Sequence, residues 1–501
     1  MRVAFRLGVA LAAAMLGFAV FAAVALGHAK LLESRPKAGQ VLERSPRTVV
    51  LVFDEAIDAE FVQLQVRDNA GRRVDRAEPY HPAGREERLA VRLRSGLEGA
   101  YAASYRVISE DGHPVVKRIA FRVRPPMPAD EREKRMEPAP LGGGSMPDDT
   151  AGHEDLATGG VTDAAFAVAR GLGYLAIALA VGGVVFLFVA WLPALTEVAG
   201  GGSTWLNVSE RFTRLLRRIV LGAALLGLMA TAAAIVLEAA TATGTSFWAA
   251  LDVDAIDAVD DTRVVRAWVA RLGVWLLIGV IAVVLLRPGR APALRRAALG
   301  AVGTAPRSTL SRPQVLLVGG ALVGLALTAA LAGHSATYSP SGLLVCTDTV
   351  HLLCVAAWLG GLAMLLLALP LAARSLPRRE RTPLLAGVVG RFSLLAVIAV
   401  TGLLLTGIIQ AIALVGALDA LVETGYGRLL LAKIILLLGI VSLGAYNQRR
   451  LLPQLRTAAA GGEEPGRAEA MLRRSVVFEV GLALVVLGVT SVLVATEPPS
   501  G

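Results

Sequence analysis

Leu343-Leu344-Val345-Cys346-Thr347-Asp348-Thr349-Val350-His351-Leu352-Leu353-Cys354-Val355-Ala356-Ala357-Trp358-Leu359-Gly360-Gly361 opens an apolar run that continues to Pro370. Crossing the hydrocarbon core of a bilayer as a helix takes about twenty apolar residues, so this stretch is long enough to span. Carboxylate, imidazole and thiol groups are costly at that depth and are by default functional candidates there. On a helical projection Asp348, His351, Cys354 and Trp358 fall on one stripe, with Cys346 off it and Met364 nearly opposite. Asp348 lies nearer the mouth of the span, and His351 about two turns below the outer surface. Taken alone, His351 reads equally as a hydrogen-bonded packing residue or a ligand; Asp348 and Cys354 beside it tip it toward function. Cys354 by itself reads as an ordinary buried thiol.

Seven further runs of the same kind surround this one. Helices are predicted at 164–192, 212–238, 264–287, 313–333, 343–370, 388–417, 428–447 and 475–496. Their connections alternate in charge. Arg211, Arg214, Arg217 and Arg218 follow the first helix, and Arg287, Arg290, Arg295, Arg296, Arg307 and Arg312 the third. Arg374, Arg378, Arg379, Arg381 and Arg391 follow the fifth, and Arg449, Arg450, Arg456, Arg467, Arg473 and Arg474 the seventh. The segment after the second helix is acidic, with Asp252, Asp254, Asp257, Asp260 and Asp261, and the loops after the fourth and sixth carry almost no basic residues. By the positive-inside rule both chain ends lie outside the cytoplasm.

Composition agrees. The 501 residues are 55% hydrophobic with a mean hydropathy of +0.60, too apolar for a soluble protein. The net charge of +10 comes from arginines clustered between apolar runs, which reflects membrane topology and argues against nucleic-acid binding. Cys346 and Cys354 are the only cysteines. On one helix they stand roughly 12 Å apart along the axis, too far for a disulfide.

Ahead of the helices lies a different pattern. Residues 1–27 read as a secretory signal: Arg2 and Arg6, an apolar run from Leu7 to Leu26, and small residues Ala25 and Gly27 before the cut. Residues 28–125 show period-two alternation at 48–53, 61–66, 88–93, 101–107 and 118–123. Turn signals separate these runs at Pro46, Asp68-Asn69-Ala70-Gly71, His81-Pro82-Ala83-Gly84 and Asp111-Gly112. That is the signature of an all-β Greek-key sandwich or barrel, Ig-like in architecture. Residues 126–162, with Gly142-Gly143-Gly144-Ser145, read as a flexible linker, and His153 within it as a solvated histidine. The membrane domain then occupies 163–497.

Cleavage after Gly27 makes His28 the mature N-terminus, whose amine and imidazole chelate a single metal ion. Asp111 and His113, at a turn, add a carboxylate and a second imidazole. Nitrogen donors with a carboxylate in a tetragonal arrangement suit Cu(II). In the helical part, His334 at the outer end of the fourth helix could face Asp348, or equally look into water. Lys433 either snorkels outward or pairs with a carboxylate, and Glu479 is close enough to the inner surface to be hydrated. Gly360, Gly361, Gly402 and Gly407 read as close-packing sites.

The whole order resembles a copper-resistance C-like (CopC-like) domain fused to a copper-resistance D-like (CopD-like) membrane domain. His28-Ala29, Ser34-Arg35-Pro36-Lys37-Ala38-Gly39, Phe53-Asp54-Glu55 and Tyr105-Arg106-Val107-Ile108-Ser109-Glu110-Asp111-Gly112-His113-Pro114-Val115 carry the first resemblance. Gly333-His334-Ser335, Asp348-Thr349-Val350-His351, Trp358-Leu359-Gly360-Gly361, Arg391-Phe392-Ser393, Thr406-Gly407, Tyr426-Gly427-Arg428-Leu429-Leu430 and Lys433 carry the second. The resemblance implies a Cu(II) site at His28, Asp111 and His113, and passage of copper toward the cytoplasm. The methionine-rich Cu(I) site of some members is not expected, since no methionine lies between His28 and Val123.

The leading expectation is therefore a copper importer of the cytoplasmic membrane, not an enzyme. Its domain outside captures Cu(II), and a membrane pathway at His334, Asp348, His351 and Cys354 carries the ion, as Cu(I). Copper ions and membrane lipid are the expected partners, with an external reductase or a copper chaperone as the source of electrons or metal. The alternative is sequestration, resistance or sensing without transport. A copper monooxygenase is disfavoured by the Asp111 carboxylate and the small domain. A bis-histidine haem would need His334 and His351 at one depth.

Overall fold

The computed structural model describes residues 31–54, 57, 62–108, 114–124, 160–243, 247–251, 262–287, 311–336, 338, 340–415, 418–460, 465–494 and 496. The signal segment, most of the linker and His153 lie outside them.

Seven strands form the N-terminal part: β1 (Leu31–Arg35), β2 (Val41–Leu42), β3 (Thr48–Phe53), β4 (Gln63–Asp68), β5 (Arg88–Arg92), β6 (Gly99–Ile108) and β7 (Pro114–Val123). They make two sheets, ordered β1-β3-β5 and β2-β7-β6-β4. From β3 to β6 the chain changes sheet at every connection, the Greek-key habit of sandwiches. Alternation explains the core: Val49, Leu51 and Phe53 of β3 and Leu89 and Val91 of β5 meet Leu64, Tyr105 and Phe121 of the other sheet. β1 and β2 are absent from the sequence expectation. β1 buries only Ser34 fully and β2 is two residues long, so neither has an apolar period to read. The predicted turn at Asp68 forms as expected, its carboxylate accepting from the backbone of Ala70 and Arg72, both at 2.9 Å, with Gly71 at φ 76°.

Tyr105 is fully buried and meets Phe53 edge-on at 5.7 Å, yet its hydroxyl has no hydrogen-bond partner among the described residues. Burial pushes this phenol up to about 12 from 10.0. The unfolded chain then deprotonates first, so stability contributed by the neutral phenol is intact below pH 10.0 and declines toward pH 12. Urea unfolding of residues 28–125 is expected to show that alkaline decline, lessened in Tyr105→Phe. The same variant should gain about 1 kcal/mol at neutral pH by removing an unsatisfied polar group. An equally steep profile, or a loss at neutral pH, would contradict this.

Among the described residues, eight helices are long and apolar enough to cross a membrane: α1 (Ala164–Val198), α2 (Ser203–Thr241), α3 (Arg263–Leu285), α4 (Arg312–Leu331), α5 (Ser341–Ala373), α6 (Arg378–Val415), α7 (Gly425–Ala459) and α8 (Gly466–Leu493). Number and order match the sequence expectation; the ends differ. Arg211 lies on α2, Arg378, Arg379 and Arg381 on α6, and Arg467, Arg473 and Arg474 on α8, ahead of the helix starts expected at 212, 388 and 475. Helices keep their backbone groups satisfied beyond the hydrocarbon, and arginine stems cover the apolar surface while their heads reach water.

Three helices widen near their arginine-rich ends. Single π-turns at Leu187–Trp191, Met364–Ala368 and Asn447–Leu451 are each followed by Leu-Pro, at Pro193, Pro370 and Pro453. Proline lacks the N–H for an i→i−4 bond and its ring crowds the i−4 carbonyl, which the wider turn relieves. α1 and α5 meet through glycine: a Cβ at Gly360 would stand 1.9 Å from the Ala178 carbonyl oxygen, and one at Gly182 would stand 2.3 Å from that of Ala356. α5 also packs on α4 and α6, and α7 on α8.

Candidate functional site

A cavity of about 170 Å³ lies among α1, α5, α6, α7 and α8. Ser335, Leu414, Tyr426 and Leu493 line it near the arginine-poor helix ends, and Trp358, Leu359 and Ala483 at its deeper part. Its polar wall comprises Tyr174, Ser335, Asp348, His351, Gln410, Tyr426, Lys433 and Thr490. At 1.5 Å per residue, Asp348 and His351 are about 10 and 15 Å along the axis from Ser341.

Below the cavity the packing closes. Trp191 stacks on Phe212 at 4.0 Å, and Phe186 meets both Phe212 and Phe392 at 6.1 Å. Polar pairs tie the arginine-rich ends together: Arg391 with Glu197, Asn447 with Glu479, and Arg381 with Glu469 at 2.7 Å. The Thr382 hydroxyl also donates to Glu469.

The geometry assigns the imidazole tautomer of His351. Its Nδ1 lies 2.9 Å from the Thr406 hydroxyl oxygen. That hydroxyl already donates to the Gly402 carbonyl at 2.7 Å, the back-bond of a helical threonine. Its oxygen is therefore left to accept, and Nδ1 carries the proton. Nε2 keeps its lone pair, the form in which histidine binds metals, and a hydrogen bond at the other nitrogen is what fixes it.

Asp348 accepts a hydrogen bond from the Ser335 hydroxyl and lies within the field of Lys433. Lys433 lines the cavity rather than snorkelling outward, and it acts on Asp348 through space, without an ion pair within 4 Å among the described residues. A carboxylate and an ammonium across one cavity neutralise each other at a depth where either alone is costly. The Gln410 amide nitrogen is buried on the same wall without a partner. No group of three or more His, Cys, Asp or Glu side chains able to hold a metal occurs among the described residues.

The stripe drawn from the sequence needs one correction. Cys354 is not among the cavity-lining residues; Val355 continues the wall from His351 to Trp358. Steps of three residues each fall 60° short of a full turn, so two steps from Asp348 swing Cys354 about 120° away. Its sulfur packs toward α6, where a Cβ at Gly402 would stand only 2.7 Å from it. His334 begins the turn His334–Ala336 between α4 and α5, but its side chain is outside the described part. Its neighbour Ser335 is the residue that reaches Asp348. Tyr174 and Gln410 were missed in the sequence because neutral polar residues within apolar runs carry no signal of direction, and Ser335 was noted only within the family-like Gly333-His334-Ser335. Thr406 was noted only as part of a family-like motif.

In the β part, His28, Asp111 and His113 all lie outside the described residues. Their flanks are informative. Leu31 pairs with Phe53, Phe53 touches Tyr105, and Ile108 pairs with Pro114. The start of β1, the end of β6 and the start of β7 thus share one end of the sandwich.

Two family models match. The CopC domain model matches residues 31–124, and the model of copper resistance protein D, CopD, matches 386–493. The latter supplies the α6, α7 and α8 walls of the cavity, while Asp348 and His351 lie outside the matched stretch. The chain is 26% identical over 436 residues to copper transport protein CutJ of Bacillus subtilis, covering 86% of this chain and 69% of that protein. It is 27% identical over 285 residues to copper resistance protein D of Pseudomonas syringae pv. tomato, covering 56% and 84%. Among solved structures, CopC from Methylosinus trichosporium OB3b is similar, with 26% identity and a TM-score of 0.19, covering 20% of this chain and 98% of that one. One polypeptide here carries a stretch that matches the CopC domain model and, after it, a stretch that matches the model of copper resistance protein D.

Proposed function

We propose that this chain captures copper outside the cytoplasm and carries it inward across the cytoplasmic membrane, with the cavity at Asp348 and His351 as the membrane station. The observation behind it is a cavity whose wall, among the described residues, holds one carboxylate, one imidazole with its Nε2 lone pair available, and one ammonium. Two donors are too few for a storage site. They suit a station that an ion must also leave, since conduction requires binding weak enough for release. Lys433 serves as the countercharge of Asp348 when no cation is present, and an arriving ion takes over that role.

In this reading the N-terminal domain binds Cu(II) through the amine and imidazole of His28, with Asp111 and His113. The shared end of the sandwich supports it, because Leu31, Ile108 and Pro114, the described residues that flank the three in sequence, meet there. The domain and the C-terminus face away from the cytoplasm, as arginine placement favours. Transfer through the helices uses Cu(I), which an external reductase or a copper chaperone supplies. Cellular copper is expected to rise with the full chain and to lose that rise in His28→Ala. Electron paramagnetic resonance of residues 28–125 loaded with Cu(II) is expected to show an axial, nitrogen-coordinated signal, lost in the same variant. Unchanged copper content with and without the protein would overturn transport, and absence of the axial signal would overturn the site.

The aromatic layer beneath the cavity favours a second reading, capture or sensing without passage. It predicts copper bound to the envelope with no rise in the cytoplasm, which a cytoplasmic copper reporter separates from import.

A further inference from the structure

A second, smaller cavity of about 20 Å³ adjoins the first, with Arg170, Tyr174, Trp268 and Arg271 in its wall. Tyr174 lines both cavities. Arg170 is 8% exposed and Arg271 5%. Arg271 donates from Nε to the Thr328 hydroxyl at 3.2 Å and from Nη2 to the Thr328 carbonyl at 2.5 Å. Its guanidinium lies 4.3 Å from the Trp268 ring centroid. The Arg170 guanidinium lies 3.8 Å from the Phe166 centroid and makes no ion pair among the described residues. The charged or titratable groups that act on Arg271 are Tyr174 and Arg170 itself.

Two guanidinium groups stay charged under all ordinary conditions, and here they share one small space with no carboxylate. Aromatic faces offset part of the cost of burying them, yet their mutual repulsion remains. Cations at membrane depth are expected to find a countercharge, and among the described residues none lines this cavity. The space limits what can supply it: about 20 Å³ admits one particle the size of a water molecule. Phosphate, sulfate and carboxylate-bearing chelates are too large.

We propose that this cavity binds a single monovalent anion of halide size, held between Arg170 and Arg271. Where the larger cavity carries copper, a point that rests on the function proposed above, the anion offsets the repulsion two arginines exert on an entering cation. The binding itself stands apart from transport and is tested without copper.

The experiment is equilibrium binding of radiolabelled chloride to the purified full chain in detergent. Saturable binding of one chloride per chain is expected, displaced by bromide and not by sulfate. Arg170→Gln and Arg271→Gln should each weaken it about tenfold or more, the effect of losing one charged contact. Arg170→Lys should retain it, and Asp348→Asn should leave it unchanged. Arg170 makes no hydrogen bond, so its variants test the site even where Arg271→Gln does not fold; size-exclusion elution identical to wild type establishes folding. No saturable binding to the wild type, displacement by sulfate as strong as by bromide, or full binding in Arg170→Gln would each overturn the proposal. Failure of copper transport with chloride binding intact overturns the transport reading alone.

Discussion

His351→Ala is expected to reduce copper accumulation by about tenfold or more while the protein remains folded and inserted, and Thr406→Val should follow it most of the way. The alanine variant removes the one imidazole on the cavity wall among the described residues. The valine variant leaves that imidazole in place and removes only the oxygen that accepts from Nδ1 at 2.9 Å. The proton is then free to move to Nε2, and the lone pair no longer points into the cavity. Partners of this kind typically cost about 10–100-fold in metal affinity when removed. Thr406→Ser keeps the hydroxyl and the back-bond to Gly402, and should retain most of the function. Accumulation is read with radioactive copper, and insertion by membrane fractionation. A Thr406→Val chain as active as wild type would mean that the tautomer does not matter, and with it that His351 is a packing residue.

The sequence draws that distinction only weakly: His351 alone reads equally as ligand or packing residue, and its neighbours Asp348 and Cys354 tip it toward function. Asp348 and His351 were legible together because i and i+3 on an apolar run share a face, and both line the same cavity. The same projection extended to Cys354 failed by angular drift, and the contact with Gly402 on α6 explains where the thiol went. Arg170 and Arg271 escaped notice for a different reason. A lone arginine near the end of an apolar run looks like a topology marker, and only the packing of α1 beside α3 and α4 brings the two together. The strands with strict alternation, β3 to β7, were legible within a few residues. β1 and β2 were not, because backbone pairing to a neighbour rather than side-chain period defines them. Helix number survived the same test, since hydropathy sets it, whereas helix ends did not, since arginine belongs to both loops and interfacial helix.

Gly360→Leu is expected to abolish the folded helical region, and Gly360→Ala to damage it severely. Even the alanine Cβ would stand 1.9 Å from the Ala178 carbonyl oxygen and 2.7 Å from Gly182 Cα. Both obstacles are backbone, so no rotamer change relieves them, and α1 and α5 must move apart. Within the bilayer, helices gain little from hydrophobic exclusion and associate through close packing, which small residues four apart permit. Ala178 and Gly182 on α1 face Ala356 and Gly360 on α5 in that spacing. Separation there would also disturb Phe392, whose ring a Cβ at Gly361 would meet at 2.3 Å, and with it the aromatic layer beneath the cavity. Gly439→Ala serves as the control: nothing lies within 4 Å of a Cβ built there, and alanine in an open helical position should stabilise by about 0.5–1 kcal/mol. Size-exclusion elution and thermal unfolding of the detergent-purified chains decide the matter. Gly360→Leu that elutes and melts like wild type would show that the α1–α5 crossing is looser than backbone contact. It would also remove the reason for placing the cavity floor at Trp358 and Leu359, which lie between the two crossing residues Ala356 and Gly360.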